Sequence, residues 1–153
     1  MLLCSPEFTP AFFSYVRSAQ PEAPASRSFA VPASDMRQQL LAELNEEAMD
    51  CCADGWDGYG AKAISQDAYQ MARRFVSALP AQFPRPRVVT DPDGWFAFEW
   101  TRGSRKSVVV SVDPDYRLHF SALLGQSEHE GSERFFDRMP ESVENLLQRL
   151  YRM

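Results

Sequence analysis

The sequence has few of the residues that build metal centres and disulfide frameworks. Its 153 residues include three cysteines and two histidines. These five residues are Cys4, Cys51, Cys52, His119 and His129. The paired C-x-x-C spacing of zinc sites does not occur among them, so we expect neither a structural metal nor a cofactor. Adjacent cysteines bridge to each other only by straining the chain, which favours three reduced thiols.

Long apolar runs and nucleotide-binding loops are also absent from the sequence. No stretch approaches the roughly 20 apolar residues of a membrane-spanning helix, and residues 1–20 lack the basic and apolar regions of a secretory signal. The phosphate-binding patterns G-x-x-x-x-G-K-[ST] and G-x-G-x-x-G do not occur either. We therefore expect a cytoplasmic protein that contacts no membrane and binds no nucleotide through such loops.

The composition that is present is typical of one globular domain. Hydrophobic residues make up 44% of the chain and charged residues 24%, which excludes the collagen-like and fully disordered classes. Thr9 followed by Pro10 predicts a short N-terminal helix, and a Pro/Ala/Ser-rich arm follows it. We therefore divide the chain into this N-terminal region, residues 1–33, and a single α+β domain, residues 34–153.

The spacing of apolar residues predicts the architecture of that domain. Helical periodicity occurs at residues 34–52, 65–79 and 140–152, and an alternation typical of strands begins after Pro86. We predict an antiparallel four-stranded meander with helices packed on one face, and a mobile polar loop at residues 125–131. The expected core face carries Phe96, Phe98, Trp100, Val108, Val110, Val112, Tyr116, Leu118 and Phe120. The opposite face carries Trp95, Ala97, Glu99, Ser107, Val109, Ser111, Arg117, His119 and Ser121.

Charge is distributed unevenly along the chain, whose net charge is −5. Residues 34–67 contain eight acidic and two basic residues, a local net charge of −6, whereas residues 68–126 contain eight basic and five acidic residues. An acidic helix face can imitate phosphate and occupy a basic partner, although many such faces are only solvated. The overall negative charge opposes direct nucleic-acid binding, which normally rests on a strongly basic surface.

The most specific motif is the loop Trp56-Asp-Gly-Tyr-Gly-Ala61. Together with Asp91-Pro-Asp-Gly94 and Glu99-Trp100, it resembles the shared pattern of a group of small uncharacterised bacterial proteins, a W-D-G-Y-G-A loop followed by a D-x-D-G hairpin. The resemblance covers residues 50–125. It carries no activity over to this chain, but it implies an association with mobile or accessory genomic regions, and hence with conflict or defence.

The residue types in this loop allow two interpretations. In the structural one, Trp56 and Tyr59 are plugs that fix the loop on the core, while Asp57 accepts hydrogen bonds from backbone N–H groups of the following turn. In the functional one, Asp54, Asp57 and Glu99 converge on a cation or a substrate hydroxyl. The spacing does not match the D-x-[DN]-x-[DN]-G pattern of calcium-binding loops, so we predict no metal site.

One set of residues could supply thiol-based catalysis. Cys51 or Cys52 would be the nucleophile, His119 the base and Glu99 the orienting carboxylate. Buried, inert cysteines are commoner than reactive ones, because a reactive thiol needs a special environment. We therefore predict no catalytic residue.

These observations favour a non-enzymatic protein-binding module. We predict an inhibitor or antitoxin-like protein acting on a bacterial protein partner, of basic or nucleic-acid-binding character, in mobile-element or defence conflict. The alternative is a small hydrolase or ligand-binding protein that uses the Asp57 loop. A deep pocket joining Asp57, Glu99 or His119 would favour the alternative, and a flat acidic or aromatic patch would favour binding. The predicted partner-binding residues are Glu43, Glu46, Glu47, Asp50, Trp95, Arg117 and His119, and the loop residues singled out are Trp56, Asp57 and Tyr59.

Overall fold

The computed structural model describes residues 33–152 of the chain. The short helix predicted after Thr9 and the arm that follows it lie outside the described residues. The described part contains three α-helices and five β-strands. The helices are α1 (Ala33–Asp50), α2 (Gln66–Ala78) and α3 (Glu141–Tyr151), each within two residues of its predicted bounds.

Local signals in the sequence account for the ends and faces of the helices. The Ser65 hydroxyl accepts a hydrogen bond from the Ala68 N–H at 3.1 Å, which caps the start of α2. Pro80 lies just beyond the end of α2, where a proline cannot continue a helix. On α1 the fully or nearly buried residues recur every fourth position and form one apolar side. They are Met36, Leu40, Leu44 and Ala48.

The strands form one antiparallel meander in the order of the chain. They are β1 (Arg87–Thr90), β2 (Phe96–Thr101), β3 (Lys106–Asp113), β4 (Arg117–Leu124) and β5 (Ser127–Arg134). Helices α2 and α3 lie over β2, β3 and β4, and α1 packs on α2 and β1. We call the helix-covered side of the sheet the inner face and the opposite side the outer face.

The core lies between the inner face and the helices. Phe75 of α2 packs on Phe98 of β2 with ring centroids 4.6 Å apart, and on Phe135 with centroids 5.9 Å apart. Phe96, Trp100, Val108, Val110 and Val112, which the alternation places on the same face, are buried as predicted. The predicted α+β class and the face assignment of β2 and β3 are therefore confirmed.

The prediction of four strands is wrong by one, because residues 127–134 form β5. The segment predicted as a loop, residues 125–131, contains only a turn before this strand pairs with β4 over its whole length. The sequence SEHEGSER has no apolar alternation, since β5 is an edge strand whose residues are mostly exposed. It is held by backbone pairing and by the ring of Phe120, which lies so close to Gly131 that a side chain there would clash.

Two residues predicted on the inner face are less buried than expected, and one of them lies outside the strands. Tyr116 is not part of a strand; it lies in the β3–β4 turn with a φ of 61° and is 43% exposed. Phe120 does point to the inner side, opposite Val110, but it is only half-buried because it lies near the edge formed by β5. The core face of β4 is thus carried by Leu118 and Ala122, which are buried.

Candidate functional site

The chain between α1 and α2 forms a loop with a fixed backbone, residues 51–65. Gly55, Gly58 and Gly60 have φ values of 75°, 80° and 90°, the left-handed region in which glycine is favoured. Backbone hydrogen bonds close the loop on itself, from the Gly55 N–H to the Ala61 carbonyl at 2.7 Å and from the Gly58 N–H to the Gly55 carbonyl at 2.9 Å. The W-D-G-Y-G-A motif therefore favours this loop geometry, because two of its glycines, Gly58 and Gly60, have a positive φ.

Asp57 is the centre of hydrogen bonding in this loop. Its Oδ1 accepts from the N–H groups of Tyr59 at 2.8 Å and Ala61 at 3.0 Å. These two bonds favour the charged carboxylate and lower the pKa of Asp57 below its ordinary value. Asp54 acts in a similar way, since its Oδ1 accepts from the Ala63 N–H at 3.0 Å. The predicted role of Asp57 as a partner of backbone N–H groups is confirmed.

The two aromatic residues of the loop point in different directions. Trp56 is half-buried against the core, and its Nε1–H donates to the Lys62 carbonyl at 2.9 Å. Tyr59 is 95% exposed. The plug interpretation is therefore correct for Trp56 and wrong for Tyr59. The backbone of Tyr59 is held by its N–H bond to Asp57, whereas its ring points into solvent.

The loop packs against the turn between β1 and β2. The Lys62 N–H donates to the Pro92 carbonyl at 2.8 Å, and a side chain added at Gly94 would come within 2.7 Å of the Ala63 carbonyl. In the turn itself, the Asp91 carboxylate accepts from the Asp93 N–H at 2.8 Å. The two motifs on which the family resemblance rests are thus in direct contact.

The four acidic residues predicted on α1 divide into two pairs. Glu43 forms an ion pair with Arg85, and the Glu47 carboxylate accepts from the Thr90 hydroxyl at 2.9 Å. Both are half-buried and hold α1 against the segment around β1. Glu46 and Asp50 are exposed. Only this second pair is free to meet a partner without breaking an internal contact of the described residues.

Acidic residues follow one another along the chain from the end of α1 through the loop, and further ones lie in the β1–β2 turn, which the loop contacts. Lys62 is the only basic residue of the sequence between Arg37 and Arg73. We call this set, with Tyr59 at its tip, the acidic surface. Its carboxylates belong to Glu46, Asp50, Asp54, Asp57, Asp91 and Asp93, all of which are exposed or half-exposed.

The outer face of the sheet holds the three remaining predicted partner-binding residues. Trp95 stacks on His119, with ring centroids 5.6 Å apart and an angle of 14° between the planes. His119 Nε2 lies 3.1 Å from Asp113 Oδ2, and Arg117 donates to the Ser132 hydroxyl at 3.3 Å. An open depression of about 520 Å³ lies beside them, lined by Val109, Ser111, His119, Phe120, Ser121, Glu130, Gly131 and Ser132.

The residues considered for thiol catalysis do not come together. Cys51 is a free, buried thiol whose Sγ lies 4.0 Å from the Glu47 carboxylate. Burial raises the pKa of this thiol, which opposes formation of a nucleophilic thiolate. Glu99 is near Arg87, at 3.9 Å, rather than His119. Cys52 takes part in a disulfide, so the prediction of three reduced thiols is wrong for that residue.

A surface contact of Arg74, Tyr116 and Phe136 was not expected from the sequence, which places Tyr116 on the inner face. Tyr116 and Phe136 lie together in the structure with ring centroids 5.7 Å apart, and the Arg74 guanidinium lies 5.8 Å from the Tyr116 ring centroid. The contact itself joins α2, the β3–β4 turn and the segment after β5, so it depends on tertiary structure.

Within residues 33–152, no cluster of three or more histidine, cysteine or acidic side chains could hold a metal ion. None of the helices described is both long and apolar enough to cross a membrane. Comparison with family models, with curated proteins and with solved structures found no match to this chain.

Proposed function

We propose that this protein is a binding module for a protein partner with a basic surface, and that it engages this partner through the acidic surface. By covering basic groups that would otherwise meet an anion such as nucleic acid, it would act as an inhibitor of the partner. The exposure of Tyr59 on a hydrogen-bonded loop is the observation that carries the proposal. The bacterial, mobile-element or defence setting rests on the family resemblance alone.

Tyr59 has the properties of an apolar anchor. Tyrosine is enriched among the residues that dominate binding energy at protein interfaces, because it presents a large ring at a low cost in side-chain entropy. The hydrogen bonds that the Tyr59 and Ala61 N–H groups donate to Asp57 fix the backbone that carries the ring. A loop that is already ordered loses little conformational entropy when it binds, so more of the contact energy remains as affinity.

The carboxylates around this anchor define the chemistry of the partner. Glu46 and Asp50 are exposed on the last turns of α1, and Asp54, Asp57 and the β1–β2 turn continue the negative charge. Such a surface accelerates association with a basic partner and disfavours acidic ones. Trp95 directly follows Gly94 in this turn, which makes it the predicted outer-face residue nearest to the acidic surface along the chain.

The alternative, a hydrolase or ligand-binding protein built on the Asp57 loop, receives less support. The Asp57 Oδ1 already accepts two backbone hydrogen bonds, so this oxygen has little capacity left for a proton or a cation. The depression on the outer face is lined by His119 but by neither Asp57 nor Glu99, and it is open rather than deep. We therefore rank the binding module first.

The proposal can be tested by comparative affinity capture followed by kinetic measurement. The wild-type protein, Tyr59→Ser and the double variant Glu46→Gln/Asp50→Asn would each be used to capture proteins from a lysate of the source organism. The matched control is Glu128→Gln/Glu141→Gln, which removes two exposed carboxylates elsewhere. Circular dichroism melts serve as the folding control for all four proteins.

We expect one basic protein to be captured by the wild type and the control but not by the two site variants. With that protein purified, surface plasmon resonance should show a dissociation rate at least about tenfold higher for Tyr59→Ser. The double variant should associate more slowly, with a flatter dependence on salt. Equal capture by all four proteins would exclude the acidic surface as the interface and move the prediction to Trp95, Arg117 and His119.

A further inference from the structure

The molecule carries a second exposed surface whose chemistry is opposite to that of the acidic surface. It consists of Arg73 and Arg74 on α2, Tyr116 in the β3–β4 turn and Phe136 after β5, and we call it the arginine–aromatic surface. We propose that this surface binds an acidic segment of a protein that also carries a bulky apolar side chain. This inference does not depend on the proposed function.

The aromatic part of this surface is unusually exposed for side chains of its size. Among the described residues, Tyr59, Tyr116 and Phe136 are the large apolar side chains with high exposure. Phe136 is 53% exposed and Tyr116 43% exposed, and their rings lie 5.7 Å apart. Two neighbouring rings in solvent form an apolar contact area of the kind that marks binding sites.

The charged part of the surface consists of two guanidinium groups without carboxylate partners. Neither Arg73 nor Arg74 forms a salt bridge with any described residue. Their guanidinium groups lie 5.9 Å and 5.8 Å from the ring centroids of Tyr69 and Tyr116. Stacking on a ring leaves the N–H donors of arginine free at their edges, where they can bind carboxylates in pairs.

A depression next to the two arginines provides space for a ligand. Its volume is about 370 Å³, and its lining consists of Gln70, Arg73, Arg74, Ser77, Phe136 and Asp137. Asp137 is the one acidic residue of this lining, and Asp115 precedes Tyr116 in the turn. With two guanidinium groups against one carboxylate, the depression itself is net positive.

The backbone at Tyr116 has a conformation that is unfavourable for a residue with a side chain. Each of the four hairpin turns of the sheet has one residue with a φ between 61° and 85°, and in three turns that residue is glycine, at Gly94, Gly103 and Gly125. In the β3–β4 turn it is Tyr116. Glycine adopts this conformation without the steric penalty that a tyrosine meets. The ring of Tyr116 lies mainly on Phe136 and Arg74, both on the surface.

The small number of cations on this surface favours a short acidic peptide over a nucleic acid. Nucleic-acid affinity grows with the number of phosphates neutralised, and it normally requires a broad basic surface. The arginine–aromatic surface provides only two guanidinium groups without a salt bridge to a described residue, which is too few for such a basic surface. Two carboxylates of a peptide can pair with the guanidinium groups of Arg73 and Arg74. An apolar side chain between or beside these carboxylates can then contact the rings of Tyr116 and Phe136.

The test uses a fluorescein-labelled peptide of sequence EDLFED as the probe, measured by fluorescence anisotropy at low salt. Two control peptides separate the contributions, QNLFQN without charge and EDGGED without apolar side chains. The protein variants are Arg73→Gln/Arg74→Gln, Phe136→Ser and Tyr116→Gly. A charge-matched control is Arg105→Gln/Lys106→Gln, because these two exposed cations lie in a different turn. A labelled oligothymidylate tests the nucleic-acid alternative.

We expect saturable binding of EDLFED by the wild type, with an affinity at least about tenfold higher than for either control peptide. The double arginine variant should lose this binding, while the Arg105→Gln/Lys106→Gln control should retain it. Phe136→Ser and Tyr116→Gly should bind more weakly while melting at or near the wild-type temperature. Weaker binding by Tyr116→Gly at an unchanged melting temperature would show that the ring of Tyr116 contributes to binding and not to folding.

Several outcomes would overturn the proposal. Absence of saturable binding by the wild type, or equal binding of the three peptides, would exclude an acidic apolar ligand. Equal loss in the arginine variant and its charge-matched control would show only a general effect of charge. Tighter binding of oligothymidylate, abolished by Arg73→Gln/Arg74→Gln, would assign the surface to nucleic acid instead. Variants of the acidic surface are not involved, so none of these results bears on the proposed function.

Discussion

The inner and outer faces of the sheet are built from alternate residues of the same strands, yet they differ in every property that matters for function. The inner face of β2 carries Phe96, Phe98 and Trp100, which are buried beneath the helices. The outer face carries polar residues such as Glu99 and His119, whose partners are other surface groups, together with the ring of Trp95. Packing against the helices therefore determines the residues of the inner face, whereas those of the outer face are free to contact a partner.

The same division occurs within the loop of residues 51–65. Trp56 faces the core and bonds to the Lys62 carbonyl, while Tyr59, three residues later, is in solvent. A core-directed residue should therefore affect stability, and an outward residue should affect binding.

The largest effect is expected in the centre of the inner face. Phe98→Ala should lower the free energy of unfolding by about 3–5 kcal/mol, because it removes a fully buried ring that packs on Phe75. Glu99→Ala, one residue along the strand, should change it by at most about 0.5 kcal/mol, since its ion pair with Arg87 is exposed. Urea denaturation of both variants checks this pair. Equal effects would contradict the assignment of the two faces.

A smaller effect is expected for the inward residue of the loop. Trp56→Ala should cost about 2–3 kcal/mol, because it removes a half-buried ring and leaves the Lys62 carbonyl without its donor. Tyr59→Ser should leave the melting temperature nearly unchanged, since the ring makes no contact that folding depends on. A Trp56→Ala protein with wild-type stability would show that the loop is not anchored through this side chain.

The parts of the fold that could be predicted from the sequence are those in which apolar residues recur at a regular spacing because one side of the element is buried. The apolar spacing of α2 and the alternation of β2 and β3 are such cases, because one side of each element faces the core. Strand β5 could not be predicted, since the helices lie over β2–β4 and its stability comes from backbone pairing with β4. Hydrogen bonding of Asp57 to nearby N–H groups was predictable, because it is local to the chain.

The contacts of the candidate sites were largely beyond prediction. Pairing of Asp113 with His119 requires the register of the β3–β4 hairpin. The use of Glu43 and Glu47 in contacts with Arg85 and Thr90 requires the position of α1 against β1. A helical wheel shows only that these carboxylates avoid the apolar side, so it could not separate them from the exposed Glu46.

The pH dependence of stability offers a finer test of the loop. The N–H groups of Tyr59 and Ala61 lower the pKa of Asp57 in the folded protein. The charged form is thus favoured by folding, so its contribution is complete above the ordinary carboxyl pKa of about 4 and is lost as the pH falls from there through the lowered pKa. The difference in denaturation midpoint between wild type and Asp57→Ala should be constant above about pH 5 and shrink below about pH 4. A difference independent of pH would show that the carboxylate charge has no part in holding the loop.

The smallest effect on stability is expected at Tyr116, where substitutions test whether the ring contributes to folding. A non-glycine residue with a φ of 61° is strained, whereas glycine is not, although glycine gains more entropy on unfolding. Tyr116→Gly should therefore be about 1 kcal/mol more stable than Tyr116→Ala, which keeps the strain and loses the ring. Because Tyr116 and Phe136 are both exposed, the glycine variant should unfold within about 0.5 kcal/mol of the wild type. Thermal and urea denaturation of the three proteins measure these differences. If Tyr116→Gly were instead the least stable of the three, the ring would be part of the core despite its exposure, and the β3–β4 turn would belong with the inner face.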